Sequence, residues 1–207
     1  MTAWVLATAN PHKAREMREV LSGLGIEVEP RPAGLADVDE TSDTLEGNAL
    51  LKARAIARAT GRTAVADDTG LFVDALDGRP GVRSARYAGD DASDDENVAK
   101  LLGELASRVG SHERSARFRT VIAVVTPGGD EVVVAGQLDG WIEASPRGES
   151  GFGYDPVFAS PDTAGRTLSE VGAEEKNRVS HRARALRELA RVLAHRASEE
   201  GTRPTHP

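Results

Sequence analysis

Short apolar runs alternate with amphipathic stretches along the chain, a pattern that predicts alternating β-strands and α-helices. Residues 3–8 form the first apolar run, and Asn10 followed by Pro11 is typical of a helix N-terminus. Gly23 or Gly25 is expected to end this helix. Its apolar face is formed by Ala14, Met17, Leu21 and Leu24. A second short strand is predicted over residues 26–29.

A longer, alanine-rich helix is predicted over residues 44–60. Asp43 and Glu46 stand at capping-box spacing at its start, and Gly61 is expected to end it. Ser93 and Glu96 stand at the same spacing and predict another helix over residues 93–107. Both helices follow segments rich in polar residues, which we interpret as loops.

The β-rich segments predict a sheet with both kinds of strand pairing. Residues 63–66 predict a buried strand that ends at two consecutive aspartates. Residues 118–126 and 131–138 flank a Pro-Gly-Gly-Asp turn, which predicts an antiparallel hairpin. We expect residues 141–144 to continue the second hairpin strand after a break at Gly140. Because the earlier β-α-β order favours parallel pairing, the whole pattern predicts an α/β fold with a mixed sheet.

The end of the chain predicts one more helix, over residues 180–195, with leucine and alanine at core spacing. The polar, proline-containing residues 199–207 are expected to be disordered. The length of 207 residues suits one domain, or one domain with two lobes, which we place at residues 1–198.

Composition and charge exclude several classes of function. The chain has no cysteine, which excludes disulfides, thiolate metal sites and cysteine nucleophiles. The net charge of −7 argues against a general nucleic-acid-binding protein, although a few basic side chains in a cleft can still bind a small anion. No segment has the length of a membrane span, and the N-terminal residues lack the basic start of a signal peptide. A cytoplasmic protein is therefore expected.

The most informative motif is the pair Asp67 and Asp68. Two adjacent carboxylates beside a buried strand repel each other and lose hydration, unless a positive charge lies near them. A hard divalent cation such as Mg²⁺ is the usual partner for such oxygen ligands. Because consecutive strand residues point to opposite faces, the two carboxylates are expected to have different roles. The alternative is a turn capped by Asp68 or Thr69.

Two further polar motifs suit a polyphosphate. Residues 8–13 combine the first helix N-terminus with a hydroxyl, an amide and Lys13, although an ordinary helix cap with a surface lysine is the alternative. Glu40 lies in an acidic loop before the second helix, on which Asn48 and Lys52 share a face. A solvated acidic loop beside an amphipathic helix is the alternative there.

The last two motifs suit a flat, oxygen-bearing ligand. The glycines around Phe152 leave its ring accessible for a base to stack on, unless the ring is packed in the core. Lys176, His181 and Arg182 lie before or at the start of the last helix, where they can bind an anion or an exocyclic oxygen. The spacing alone does not separate their roles.

The order of these motifs, more than any one of them, resembles the inosine/xanthosine triphosphate pyrophosphatase family. The resemblance covers nearly the whole chain in six blocks: residues 6–13, 40–53, 66–71, 80–87, 151–158 and 176–182. Two departures are visible. Thr69 stands where the family often has serine, which keeps the hydroxyl, and Gly47 stands where a glutamate often occurs, which moves the expected metal ligand to Glu40.

The resemblance implies hydrolysis of ITP, dITP or XTP to the monophosphate and pyrophosphate with Mg²⁺, by a homodimer. It implies an elongated mixed sheet flanked by helices, with two lobes around a central cleft. Glu40 and Asp68 resemble the metal ligands, and the catalytic set is Asp68, Lys13 and Lys52. The substrate-binding set is Thr8, Ala9, Asn10, Pro11, His12, Lys13, Thr69, Phe152, Gly153, Tyr154, Asp155, Lys176, His181 and Arg182.

Two other functions are compatible with parts of this pattern. A related pyrophosphatase could act on modified pyrimidine or methylated nucleotides, and it would prefer dTTP or UTP over ITP and XTP. A non-catalytic nucleotide sensor would keep the phosphate-binding motif but lose the metal-binding carboxylates. The presence of Glu40, Asp67 and Asp68 disfavours the sensor.

Overall fold

The computed structural model describes residues 3–201. Within that range seven strands form one mixed sheet in the order β2-β1-β3-β5-β6-β7, and β4 pairs with β3 beside this path. The strands are β1 (Trp4–Leu6), β2 (Val28–Glu29), β3 (Ala64–Val73), β4 (Pro80–Gly81), β5 (Ser115–Val125), β6 (Glu131–Ile142) and β7 (Phe158–Ala159). β1 is parallel to β2 and β3, and all the other pairs are antiparallel. The predicted mixed α/β sheet is confirmed.

Five α-helices accompany the sheet within the described residues. They are α1 (Pro11–Gly23), α2 (Leu45–Thr60), α3 (Asp94–Glu104), α4 (Ala173–Val179) and α5 (His181–Gly201). The Asn10 cap of α1 is confirmed, because its side chain accepts hydrogen bonds from the amides of His12 and Lys13. The capping box of α3 and the left-handed Gly61 at the end of α2 are also confirmed.

Three predictions about helices are wrong or incomplete. The cap of α2 is Thr44 rather than Asp43, since the Thr44 hydroxyl accepts the hydrogen bond from the Gly47 amide. α4, which carries Lys176, is missing from the prediction. α5 begins at His181 and continues to Gly201, into the segment expected to be disordered, while residues 202–207 lie outside the described residues.

Two predictions about strands are also wrong. The aspartate pair lies in the middle of β3, not at its end, because β5 pairs with β3 along its full length from Ala64 to Val73. Gly140 does not interrupt β6, which pairs with β5 through Gly140 and Trp141. In both cases the ladder to β5 holds residues of low strand propensity in extended conformation.

Three groups of buried apolar side chains form the core. α2 packs on one face of the sheet through Ala49, Ala53 and Ile56, against Val121 and Ala123 of β5. α1 and α5 pack on the other face, where they contact Leu6, Val65 and Ile122. The third group, called the distal core here, consists of Leu71, Val73, Leu76, Val98, Leu101, Leu105, Ala116, Phe118, Leu138, Ile142, Tyr154, Val157, Phe158, Leu168 and Val171.

A gap along one edge of β3 separates two halves of the molecule. One half is built on α1, α2 and α5, and the other contains the distal core. β1 pairs with β3 only as far as Val65, and β4 pairs with it only from Leu71 onward. Among residues 3–201 no strand covers that edge of β3 between these positions. Asp67 and Asp68 lie in the gap, so side chains from both faces of the sheet can meet there.

Candidate active site

The Asp67 carboxylate is buried on the α1 and α5 face of the sheet. Its Oδ2 atom lies 3.3 Å from Lys13 Nζ and 3.2 Å from Arg182 Nη2. Thr69 donates a hydrogen bond to the same oxygen at 3.3 Å. Burial raises the pKa of Asp67, but Lys13 and Arg182 outweigh it and hold the pKa well below its usual range. Asp67 is therefore a permanent anion that orients two cations.

The Asp68 carboxylate points to the α2 face, as the alternation of strand side chains predicts. Its Oδ1 atom accepts a hydrogen bond from Lys52 Nζ at 2.7 Å, and Lys52 donates at 2.8 Å to Glu40 Oε1. Arg86 Nη1 lies 3.3 Å from the other oxygen of Glu40. Burial raises the pKa of Asp68 in spite of Lys52, which makes this carboxylate the better proton acceptor of the two.

A fourth carboxylate, Glu16, is absent from the residues that the sequence predicts for the site. It lies on α1 one turn after Lys13 and contacts Lys176 Nζ at 2.6 Å and the Arg182 guanidinium. Lys176 also lies 2.6 Å from Asp155 Oδ2. Burial raises the pKa of Glu16, but the charges of Arg182 and Lys176 outweigh burial and hold this pKa below its usual value, so Glu16 stays ionised. Its spacing from Lys13 is the only signal that the sequence offers.

The cations Lys13, Lys176 and Arg182 border a cavity of about 100 Å³ between the α1/α5 face and the distal core. Polar and aromatic side chains from both halves of the molecule contribute to its wall. The lining residues are Asn10, Lys13, Thr69, Ser84, Ala85, Asp94, Phe118, Phe152, Gly153, Tyr154, Asp155, Lys176, His181 and Arg182. The structure thus brings together most of the predicted substrate-binding set.

The glycine-rich loop that carries Phe152 is fixed by hydrogen bonds. Its Phe152 amide donates to Asp155 Oδ2 at 2.9 Å, and its Gly153 amide donates to Asp94 Oδ2 at 2.7 Å. The Phe152 ring stacks on His12 at a centroid distance of 5.3 Å, and Lys176 Nζ lies 4.7 Å from the centre of the ring. Phe152 is half-buried at the cavity wall, not packed in the core.

His181 is buried at the base of the cavity. Its ring stacks on Phe118 at a centroid distance of 4.5 Å. Burial, followed by the charges of Arg182 and Lys176, lowers the pKa of His181 well below its usual value, so the imidazole is neutral at pH 7. Its Nδ1 atom has no hydrogen-bond partner among the described residues. A neutral ring nitrogen of this kind is available to a ligand.

The residues predicted to bind phosphate are divided between two surfaces. Asn10 and Lys13 line the cavity, whereas Thr8, Ala9 and Pro11 line a neighbouring groove. The Thr8 hydroxyl accepts a hydrogen bond from the Asn10 amide at 3.2 Å, which shapes the turn before α1. Both surfaces meet at the N-terminus of α1, where the helix dipole favours an anion.

The donor set around Asp68 fits Mg²⁺. One oxygen of each aspartate, Asp67 Oδ1 and Asp68 Oδ2, is buried without a hydrogen-bond partner in the part of the chain that is described. Within residues 3–201 no cluster of three His, Cys, Asp or Glu side chains could hold a metal by itself. The two unpartnered oxygens are what suits the cation, because Mg²⁺ usually binds to one or two carboxylates and takes its other ligands from phosphates and water.

Tyr154 and Asp155 are buried residues in the wall of the cavity. The Tyr154 hydroxyl donates to the Ser84 carbonyl oxygen at 2.9 Å, and its ring lies in the distal core. Asp155 is buried, and burial raises its pKa in spite of Lys176. Thr120, which sequence reasoning missed, lies opposite Thr69, with 2.6 Å between the two hydroxyl oxygens. Only the β3–β5 register identifies it.

Comparison with known proteins identifies the family. The sequence profile described as the Ham1 family matches residues 4–192. A dITP/XTP pyrophosphatase of Geobacillus kaustophilus is 50% identical over 187 residues, covering 89% of this chain and 91% of that protein. A dITP/XTP pyrophosphatase of Geobacter sulfurreducens is 51% identical over 189 residues, covering 90% and 94%. A solved HAM1 protein from Coxiella burnetii has a TM-score of 0.83 and 42% identity, covering 94% of this chain and 100% of that one. On this identity and coverage, the chain belongs to the Ham1 family.

Proposed function

We propose that this protein hydrolyses the purine nucleoside triphosphates dITP, ITP and XTP to the monophosphate and pyrophosphate. The observation that carries the proposal is that a cavity suited to a base lies next to a group of charged side chains suited to phosphate. A cavity with an aromatic wall and basic side chains adjoins the carboxylates and lysines in the gap of β3. The relatives named dITP/XTP pyrophosphatases support the same substrates.

Each group in the gap has a role in breaking the α–β phosphoanhydride bond. Lys13 and Lys52 neutralise charge that develops on the leaving pyrophosphate. Asp68 orients the attacking water and accepts its proton, in keeping with its raised pKa. Asp67 stays ionised and holds Lys13 and Arg182 in place. This division gives the two adjacent carboxylates different tasks.

The cavity selects for a 6-keto purine by hydrogen bonding. The purine stacks on Phe152, and its 6-keto oxygen accepts from Lys176, His181 or Arg182. The 6-amino group of ATP would leave these donors unpaired, which is the strongest form of rejection available to a polar pocket. Lys176 and Arg182 carry no acceptor, so a 2-amino group of GTP facing them would also lack a partner.

Mg²⁺ is part of the proposal. Glu40 and Asp68 would hold it together with phosphate oxygens of the substrate. When bound, the cation would neutralise charge on the triphosphate and polarise its phosphoryl oxygens. Lys52, which lies between the two carboxylates, keeps them close together before substrate binds.

Other properties of the protein rest on the family resemblance and on the composition of the chain. We include in the proposal a single two-lobed domain over residues 1–198, a homodimer, and a cytoplasmic location. The absence of cysteine agrees with a reducing compartment. Within residues 3–201 no helix has the length and apolar character needed to cross a bilayer.

The test is pyrophosphate release measured across all common and deaminated nucleoside triphosphates, with and without Mg²⁺. We expect dITP, ITP and XTP to exceed ATP and GTP in kcat/KM by at least about a hundredfold. EDTA should abolish turnover. A preference for dTTP or UTP would instead favour a pyrophosphatase for modified pyrimidines.

A further inference from the structure

His12 is the one residue of the predicted phosphate-binding segment, residues 8–13, that lines neither the cavity nor the neighbouring groove. Its side chain is exposed, and its ring stacks on Phe152 with 5.3 Å between the ring centroids and 20° between the ring planes. Phe152 belongs to the glycine-rich loop, which leads into Tyr154 of the distal core. The two rings therefore connect the N-terminus of α1 to the other half of the molecule.

The backbones that carry the two rings are both held by hydrogen bonds. The His12 amide donates to the side-chain oxygen of Asn10 at 2.9 Å, and the Phe152 amide donates to Asp155 Oδ2 at 2.9 Å. The residues on either side of Phe152 are glycines, so its ring has no support from neighbouring side chains of its own loop. What the backbone leaves open is rotation of the Phe152 side chain, and an aromatic neighbour restricts that rotation.

The position of His12 determines which face of Phe152 is open to a base. At 5.3 Å the two rings are in direct stacking contact, which leaves no room for a base between them. Lys176 Nζ and the Arg182 guanidinium lie over the ring at 4.7 and 5.8 Å from its centroid, and both residues line the cavity. Since His12 does not line the cavity, the face on the cavity side is the one left for a base.

We propose that His12 is a positioning residue for base binding, because it supports Phe152 from the side away from the cavity. The purine stacks on the cavity face of Phe152, and His12 does not touch it. The inference rests on the proposed function, and it assigns His12 to the base site instead of the phosphate site. Because every base has a face that can stack, His12 adds affinity without selecting between ITP and ATP.

Calorimetry in EDTA, where Mg²⁺ cannot support turnover, compares ITP with inorganic tripolyphosphate, which lacks the base. His12→Ala should weaken ITP binding by about three- to tenfold, the strength of one aromatic pair, and should leave tripolyphosphate binding as it is. His12→Phe keeps a stacking ring and should restore the affinity for ITP. His112→Ala, the same change at an exposed histidine outside the cavity, is the matched control and should bind both probes as the parent protein does.

Four results of this comparison would overturn the proposal. Equal weakening of both probes by His12→Ala would make His12 a phosphate ligand. Tighter binding of ITP would mean that the imidazole competes with the base for Phe152. Unchanged binding of ITP by His12→Ala, or no binding of ITP by the parent protein, would leave His12 without a role in base binding.

A double-mutant cycle connects the effect to the contact between the two rings. In a Phe152→Leu background, His12→Ala should change ITP affinity by less than about twofold, since no ring is left to support. A general structural role of His12 at the start of α1 would give the same loss in both backgrounds, and would overturn the proposal.

Turnover with Mg²⁺ distinguishes this inference from the proposed function. His12→Ala should raise KM more than it lowers kcat, and by the same factor for ITP and ATP, because Lys13, Lys52 and Asp68 keep their contacts. A fall in kcat at unchanged KM would place His12 in the chemical step and contradict the inference. If the parent protein releases no pyrophosphate from ITP, the proposed function fails, whatever His12→Ala does to the binding of ITP.

Discussion

At the scale of single residues, the two adjacent aspartates have opposite surroundings. Asp67 lies between Lys13 and Arg182 and keeps its charge, whereas Asp68 lies on the other face beside Lys52 and has a raised pKa. The alternation of side chains along a strand is enough to predict this separation. The partners of each carboxylate come from distant parts of the chain, so the sequence does not identify them.

The first prediction compares the two carboxylates. Asp68→Asn should lower kcat for ITP by about 10²–10⁴-fold, because the proton acceptor is lost. Its fold should survive, since Lys52 keeps Glu40 as a partner. Asp67→Asn should instead lower the free energy of unfolding by about 3–5 kcal/mol, because it leaves Arg182 and Lys13 without their shared buried anion.

Urea denaturation and ITP turnover, measured on both variants, check this. Near-normal turnover in Asp68→Asn would refute the role of Asp68. An Asp67→Asn protein that is no less stable than Asp68→Asn would refute the role of Asp67.

Lys176 shows why base recognition is hard to test by truncating a side chain to alanine. It lies between the buried carboxylates of Glu16 and Asp155. Lys176→Ala would leave both without that cation, so we expect a large loss of stability besides any loss of ITP binding. The sequence identifies Lys176 as a pocket residue. It does not predict the buried ion pair with Glu16, because Glu16 is far away in sequence.

His181 gives a prediction about pH. Its pKa is lower in the folded protein than in the unfolded chain, so below about pH 6.5 the unfolded chain takes up the proton first. The contribution of neutral His181 to the free energy of unfolding is therefore complete above that pH. It is lost as the pH falls, by up to about 1.4 kcal/mol per pH unit. His181→Gln should flatten the dependence of the unfolding free energy on pH between 7.0 and 5.5. Parallel curves for the two proteins would contradict the assignment.

At the scale of elements, β3 is the structure on which the site depends. Sequence reasoning ended this strand at the aspartate pair, because threonine and glycine follow. The strand continues since β5 supplies a full ladder, and such long-range pairing is not visible in local sequence. The gap between β1 and β4, which opens the site, follows from the short lengths of those two strands.

The position of α5 depends on a glycine in β6. A Cβ atom at Gly136 would overlap with the Ala185 amide and the His181 carbonyl oxygen at the start of α5. Gly136→Ala should therefore push this end of the helix away, with a loss of about 2–4 kcal/mol in unfolding free energy and of ITP affinity. Gly103→Ala in α3 is the matched control, because its Cβ meets nothing within 4 Å.

Chemical denaturation and the KM for ITP measure both effects. Gly103→Ala should be neutral or slightly stabilising, since alanine favours the helix. Equal stability and KM for the two variants would show that α5 does not need the close approach to β6.

At the scale of the whole molecule, the order of motifs predicted more than any local pattern did. The mixed sheet, three of the helix ends and most of the cavity lining follow from the sequence. Glu16, Arg86 and Thr120 do not, because each acts through a partner that only the tertiary fold supplies. A negative net charge is no obstacle to a triphosphate, since Lys13, Lys52 and Lys176 are gathered at the site together with Arg182.

The most direct test of the central claim is the identity of the products formed from ITP. Phosphorus NMR of a reaction with Mg²⁺ should show IMP and pyrophosphate in equal amounts, with no IDP. The same reaction with ATP should be slower by at least about a hundredfold. Formation of IDP and phosphate, or equal rates for ITP and ATP, would contradict the account of a base-selective enzyme that cleaves the α–β bond.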